Sequence, residues 1–292
     1  MANTSKASAG ITFNKKGHMD KNILIFGKGY IGARLAEAFD CPANGDMLSS
    51  LTRCIEIVAK ARPKVVINCI GYTGARNVDD CESEKDMTIT ANSFVPVMLA
   101  EACLRNNARF VHISSGCIFE YDYAKDRPID EKRLPDYYDL FYSRSKVYAE
   151  RCLDYLQRRY PILTVRLRIP LDNVPSPKNI LTKLIKYRQV IDIPNSVTYI
   201  PDFVRAVKHL VRKKETGLFN VVNKGGLRYP ELLAVYRKFV PDFDFEVVSL
   251  SKLRLERTNL LLSTRKLEAT GFKVRHIDDV LEECVEEYIG QI

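Results

Sequence analysis

Residues 22–39, NILIFGKGYIGARLAEAF, decide the fold. A short apolar run ends at Phe26, glycines stand at 27, 29 and 32, and a segment of helical period begins at Tyr30. This is strand, tight turn, helix, with the G-x-G-x-x-G spacing across the turn. Gly27 permits the turn, Gly29 lets a diphosphate approach the backbone, and Gly32 allows the helix to pack closely on the strand. The helix N-terminus then offers free N–H groups and partial positive charge to an anion. Gly27, Lys28, Gly29, Tyr30, Ile31 and Gly32 are therefore the candidate cradle for a dinucleotide.

The same alternation continues outward. LTRCIEIVAKAR (51–62) reads as a helix and KVVINCI (64–70) as a buried strand; NSFVPVMLAEACLRNN (92–107) reads as a helix that tolerates Pro96 only near its first turn. RFVHIS (109–114) and ILTVRLR (162–168) are strands, with the long helix YSRSKVYAERCLDYLQRR (142–159) between them. Strands separated by helices imply right-handed βαβ units and a parallel sheet covered on both faces. After Pro170 the regularity weakens, starting with the proline-rich LDNVPSPKN. The reading is α/β, a Rossmann-like doubly wound sheet over residues 19–169, with a smaller substrate lobe over 170–292 interleaved with late sheet elements. No second strand is evident in CPANGDMLSS (41–50).

The 292 residues carry 45 Lys+Arg against 36 Asp+Glu, a net charge of +9, with 46% hydrophobic residues. The charges are of mixed sign and form no basic arm, which argues against nucleic acid and for a small anionic substrate. No run reaches the roughly 18 apolar residues of a membrane helix, so no membrane partner is expected. Eight cysteines without a CxxC pair read as reduced thiols in a cytoplasmic setting, with no metal site. Residues 1–18 are polar and patternless, followed by Met19; they read as a vector-derived leader, with Met19 the expected native start.

The identity of the dinucleotide turns on charge. Asp46 lies near the distance at which an acidic residue would bind the ribose of NAD, while Lys28 and Arg53 could face the 2′-phosphate of NADP. The reading favours NADPH. Further along, FYSRSK gives Tyr142 and Lys146 at YxxxK spacing, on one face of a helix. A nearby ammonium should lower the phenol's pKa and suit it to proton exchange at a carbonyl oxygen. Ser115, at the end of the preceding strand, would complete the donor pair.

Gly27-x-Gly29-x-x-Gly32, Ser115, Tyr142 and Lys146, in that order, resemble the extended short-chain dehydrogenase/reductases. The resemblance implies Tyr142 as acid/base, Ser115 polarising the substrate oxygen, and Lys146 also holding the nicotinamide ribose. Asn68, Gly71 and Asn92 then sit where that family lines the cofactor or positions the catalytic helix. After Ser115 come Gly116 and Cys117, where dehydratases of the family place an Asp–Glu pair and simple 4-ketosugar reductases usually show Asp–Tyr. GCIFEYD (116–122), RNVDDCE (76–82), PKNILTKLIKY (177–187) and DIPNSVT (192–198) are similar to the plant-type 3,5-epimerase/4-reductases of UDP-rhamnose synthesis. Asp80 departs from that pattern, which usually has an aromatic there.

The resemblance implies conversion of UDP-4-keto-6-deoxy-D-glucose to UDP-L-rhamnose with NADPH, by a homodimer. Cys117 and Lys183 would be the cross-ring base and acid, acting on hydrogens that the C4 ketone acidifies, with cations favouring the thiolate. Arg76, Asn77, Arg168 and Asn179 are candidate contacts to the sugar or diphosphate. His112 reads as a core residue, and Cys41 and Cys284 as packing. Two other readings stay open: a pure dTDP-4-dehydrorhamnose-type 4-reductase, and a non-catalytic NADP-binding regulatory subunit like that of methionine adenosyltransferase.

Overall fold

The structure is a computed structural model that describes residues 22–253 and 258–292; the leader expected at 1–18 lies outside the described residues. In chain order the elements are β1 (Ile23–Phe26), α1 (Tyr30–Phe39), β2 (Ala43–Asn44), α2 (Leu51–Ala61), β3 (Val65–Asn68), α3 (Lys85–Ile89), α4 (Val95–Arg105), β4 (Arg109–Ser115) and α5 (Phe141–Leu156). They continue as β5 (Ile162–Leu167), β6 (Pro170–Leu171), α6 (Ile180–Leu184), β7 (Gln189–Ile191), β8 (Thr198–Tyr199), α7 (Ile200–Lys213) and β9 (Gly217–Asn220). α8 (Tyr229–Phe239), β10 (Glu246–Val248), α9 (Leu250–Leu253), α10 (Arg265–Ala269) and α11 (Asp278–Ile289) complete the described chain.

Six strands form one parallel sheet in the order β2-β1-β3-β4-β5-β9. The chain moves outward from β1 to β2, then crosses back to β3 on the other side. That reversal opens a crevice at the carboxyl ends of β1 and β3, the place where open α/β sheets bind ligands. One face of the sheet is covered by α1 and α7, through Leu35, Phe203, Ala206, Val207 and Leu210. The other is covered by α2, α4 and α5, through Ile57, Val58, Leu99, Cys103 and Leu153. Burial on both faces explains why β3 reads as the unbroken run Val-Val-Ile, all three residues buried. Each such fully buried aliphatic side chain contributes about 1.5–3 kcal/mol.

Local chemistry sets the boundaries. Ser50 caps α2, its Oγ accepting from Arg53 N at 3.2 Å. Cys54, Ile57 and Val58, at helical spacing, turn one face inward, and Arg62 ends the helix in the left-handed region at φ 49°. The lobe has its own core, in which α6, α8 and α11 bring together Leu181, Leu184, Leu232, Leu233, Leu281 and Val285. α7 and β9, although late in sequence, belong to the sheet layer.

Three expectations are corrected. A second strand does exist, two residues long, pairing Ala43 with Ile25 and Asn44 with Phe26; a pair is too short to show any period. The segment expected to become helical at Asn92 is helical from Lys85, and Thr90–Phe94 form a π turn. This wider turn places Pro96 at the start of a fresh α segment, where its missing N–H does little harm. Taken together, Lys85–Arg105 is 21 residues and contains an 18-residue window of mean hydropathy 1.3, long and apolar enough by composition to cross a membrane, contrary to the sequence reading. Half of that window is buried inside the fold, where Val95, Leu99, Ala100, Ala102 and Cys103 pack beneath the sheet.

Candidate active site

Backbone packing requires two of the three glycines in the turn. Gly27 has φ +99°, and a Cβ there would stand 2.9 Å from the carbonyl carbon of Cys69. A Cβ on Gly32 would stand 1.8 Å from the Gly27 carbonyl oxygen, whereas one on Gly29 would meet nothing within 4 Å. The first and third glycines therefore pack the turn, and the middle one faces open space, as a diphosphate needs. Gly32→Ala should destabilise the fold by about 3 kcal/mol or more, because rigid backbone must shift; a lower urea midpoint checks this, and an unchanged one would refute the packing role.

Beside the turn, Lys28 lies across Gly45, whose absent Cβ would be 2.7 Å from Lys28 Cε. Arg53 projects from the first turn of α2 toward the same loop and pairs with Asp46 at 3.9 Å. Two exposed cations and one partly neutralised carboxylate thus surround the end of β2, a donor set suited to a phosphate on the adenosine ribose. Tyr30 points elsewhere: its hydroxyl donates to Asp172 Oδ2 at 2.7 Å, and Arg34 reaches Asp172 Oδ1 at 3.1 Å. Its side chain ties the turn to the lobe. Ile31 is half-buried against the core of the sheet's α1 face.

At the carboxyl ends of β3 and β4 the remaining candidates converge. Asn68 Oδ1 accepts from Ile70 N at 3.0 Å, and its amide nitrogen meets His112 Nδ1 at 3.1 Å. Burial holds His112 far below the usual imidazole range, so it is a neutral core residue. Asn92, turned inward by the π turn, clamps Tyr72 through both its N–H (2.8 Å) and its carbonyl (2.9 Å), and donates to Ser145 on α5 at 3.0 Å. Glu82 accepts from Phe141 N at 2.5 Å and so caps α5. These contacts fix the helix that carries Tyr142 and Lys146.

Tyr142 and Ser115 are hydrogen-bonded to each other. The phenol's pKa is raised, not lowered as expected: burial is the largest cause, Cys117 nearby adds to it, and the Ser115 bond and Arg168 oppose it. Burial outweighs the pull of Ser115 and Arg168, so Tyr142 stands ready as a proton donor. Lys146 is 4% exposed, and burial lowers it to about 8 against the upward pull of Glu150. Gly71 makes room for it; a Cβ there would be 2.9 Å from Lys146 Nζ.

Cys117 is pinned by backbone. Its N–H donates to Ser115 Oγ at 3.2 Å, and its carbonyl accepts from Ser143 Oγ at 2.6 Å. Ile118 and Phe119 behind it are fully buried with Val147 and Leu262, and a Cβ on Gly116 would come within 2.7 Å of Leu262. Glycine at 116 thus lets the chain turn, and the thiol emerges beside Ser115 and Tyr142, only partly buried.

The substrate candidates are dispersed. Asn179 is completely buried and is not available to a ligand: it caps α6 through Leu181 N at 3.1 Å and pins the carbonyls of Asp172 (2.7 Å) and Val174 (3.0 Å). Arg168 is also buried, and its guanidinium faces Asn195, Thr258 and Cys117 instead of the open cleft. Arg76 is exposed on the rim, paired with Asp80 at 2.6 Å, and Asn77 caps the following 3₁₀ turn. That pairing holds Asp80 at about 2. Lys183 is half-buried on α6. Sequence reading missed Lys178, just before α6, whose Nζ donates to Thr73 Oγ1 at 3.0 Å and to the Gly74 carbonyl at 3.1 Å. It fastens the start of α6 to the segment that follows Gly71. No local pattern marks it.

Residues 21–225 match the family model described as the RmlD substrate binding domain. The chain belongs to that family. Within it, this RmlD-family chain is 30% identical over 271 residues to the bifunctional dTDP-4-dehydrorhamnose 3,5-epimerase/dTDP-4-dehydrorhamnose reductase of Arabidopsis thaliana, covering 86% of each chain. It is 30% identical over 243 residues to a trifunctional UDP-glucose 4,6-dehydratase/UDP-4-keto-6-deoxy-D-glucose 3,5-epimerase/UDP-4-keto-L-rhamnose-reductase of the same plant, covering 78% of this chain but spanning only 36% of that relative. The solved L780 UDP-rhamnose synthase of Acanthamoeba polyphaga mimivirus superposes with a TM-score of 0.85 at 25% identity, over 91% of this chain and 98% of that one. The Rossmann-like α/β class expected from residues 22–39 is the fold this family shares.

Proposed function

We propose that this chain is an NADPH-dependent nucleotide-sugar reductase that also epimerises its substrate, converting UDP-4-keto-6-deoxy-D-glucose to UDP-L-rhamnose in the cytoplasm. The observation that carries the reading is the thiol of Cys117 beside the hydrogen-bonded pair Ser115–Tyr142. A reductase alone needs the phenol, the serine and Lys146. A thiol at this point adds a base within reach of carbons next to the keto group. A regulatory subunit would need none of them.

Ser115 and Tyr142 donate to the C4 oxygen and hold the negative charge that forms there when a neighbouring carbon loses its proton. Cys117 takes that proton, and Lys183, on the lobe helix that Lys178 fastens to the cleft, returns one from the other side of the ring. Once both centres are inverted, Tyr142 gives its proton to O4 as the ketone is reduced. NADPH supplies the hydride when bound. Epimerisation must come first, since reducing C4 removes the acidity of its neighbours. UDP is favoured over dTDP because two of the three relatives above carry UDP in their names.

Lys28 and Arg53 favour NADPH over NADH. Lys28→Ala should raise KM for NADPH about 10-fold or more, as expected for one hydrogen bond to a charged group, and leave KM for NADH nearly unchanged; equal effects on both would refute the assignment. Two copies would pair through α5 and the π turn before α4, where Tyr148, Tyr155 and Phe94 are exposed, a point sedimentation can check. Incubation with UDP-4-keto-6-deoxyglucose and NADPH tests the whole reading. Formation of UDP-L-rhamnose by NMR supports it, and NADPH oxidation seen only with a substrate already epimerised would leave a pure 4-reductase.

A further inference from the structure

Two buried arginines leave β5, and they differ in what they face. Arg166 grips Glu150 through Nε (3.0 and 3.1 Å) and Nη2 (2.6 Å), an ordinary buried ion pair. Arg168, 1% exposed, donates from its backbone N–H to Thr198 Oγ1 at 2.9 Å and from Nε to Asn195 Oδ1 at 2.9 Å. Nη1 reaches Thr258 Oγ1 at 3.2 Å and Cys117 Sγ at 3.0 Å, and Nη2 donates to the Thr258 carbonyl. None of these partners is a carboxylate. A buried cation is tolerated only where hydrogen bonds and a counter-charge meet it. Among the described residues, the ionisable atom in direct contact is a sulfur, held by a planar fork whose other donors are anchored on two separate segments.

We propose that Arg168 is the positioning residue of the ring-proton step: its guanidinium fixes Cys117 Sγ at the cleft and supplies the positive charge beside which the sulfur works as a base. The proposal rests on the epimerase reading above. In the step, the thiolate of Cys117 takes hydrogen as a proton from the carbon next to C4. The C–H electron pair becomes the carbon–carbon π bond, and the C4 carbonyl pair moves onto O4, where Ser115 and Tyr142 donate. The π pair then takes a proton from the Lys183 ammonium on the opposite face, leaving thiol and amine. Exchange with solvent restores both. No electrons leave the substrate. Arg168 also acts on Tyr142, so its charge reaches both proton-handling groups at the cleft.

The test uses the full chain as Arg168→Met and Arg168→Lys, with two readouts. The first is the rate at which iodoacetamide alkylates Cys117 near neutral pH, followed on its own peptide by mass spectrometry. The second is deuterium uptake from D2O into UDP-4-keto-6-deoxyglucose without NADPH, divided by the rate of reducing an already epimerised substrate. Arg168→Met should slow alkylation about 10-fold or more and lower the exchange-to-reduction ratio by a similar factor. Arg168→Lys keeps the charge without the fork and should fall between the two, which carries the test if the Met variant does not fold. Alkylation and ratio within about 2-fold of wild type in either folded variant would overturn the proposal. Absence of deuterium uptake in the wild type would instead overturn the epimerase reading, while alkylation still decides whether Arg168 governs the thiol.

Discussion

Tyr142→Phe should lower kcat for ketosugar reduction by about 10²–10⁴-fold, the range for losing a positioned general acid, with kcat/KM falling equally and KM little changed. In the proposed mechanism the phenol gives its proton to the reacting oxygen only as charge develops there, so its loss is a transition-state loss. The pH dependence follows from the two shifts. Burial raises Tyr142, so the phenol keeps its proton through the neutral range and sets no limb there. Lys146 is lowered to about 8, so its ammonium is complete below that pH and disappears above it. Wild-type activity should therefore decline as pH rises through about 8, and the residual activity of Tyr142→Phe should keep that limb. Steady-state rates across pH check both; a variant within about 5-fold of wild type would remove Tyr142 from the reaction.

The second large effect is selective. Cys117→Ala should reduce deuterium uptake at C3 and C5 by about 100-fold or more, again the size of one general base, while reduction of an already epimerised ketosugar falls far less. The sulfur lies beside Ser115 and Tyr142 but, in the proposed mechanism, takes no part in delivering hydrogen to C4. Equal losses in both assays would mean that the thiol supports the site as a whole and not the ring protons, since the backbone bonds of residue 117 to Ser115 and Ser143 survive the substitution.

Much of this was legible because it is local. The turn at 27–32 states its geometry in consecutive residues, and the collisions a Cβ would meet at Gly27 and Gly32 are backbone against backbone. Tyr142 and Lys146 share a face by helical spacing alone. What failed depended on where a side chain leaves the chain. Arg168 and Asn179 were read as ligand contacts because arginine and asparagine usually are, yet the end of β5 and the start of α6 turn both inward. The lowered phenol pKa failed similarly, since spacing shows the lysine but not the burial that dominates the phenol. The π turn that aims Asn92 at α5 has no composition of its own, and a two-residue strand has no period to read. Lys178 and Glu82 act across 104 and 59 positions of chain, beyond any local pattern.

Proton exchange at the ring before reduction is the central step of the proposed mechanism, and one measurement addresses it directly. Wild-type protein, UDP-4-keto-6-deoxyglucose and D2O, with NADPH omitted, should yield a sugar nucleotide deuterated at C3 and C5 by mass spectrometry and NMR. A substrate recovered without deuterium after prolonged incubation, from protein that still oxidises NADPH with an epimerised ketosugar, would contradict it.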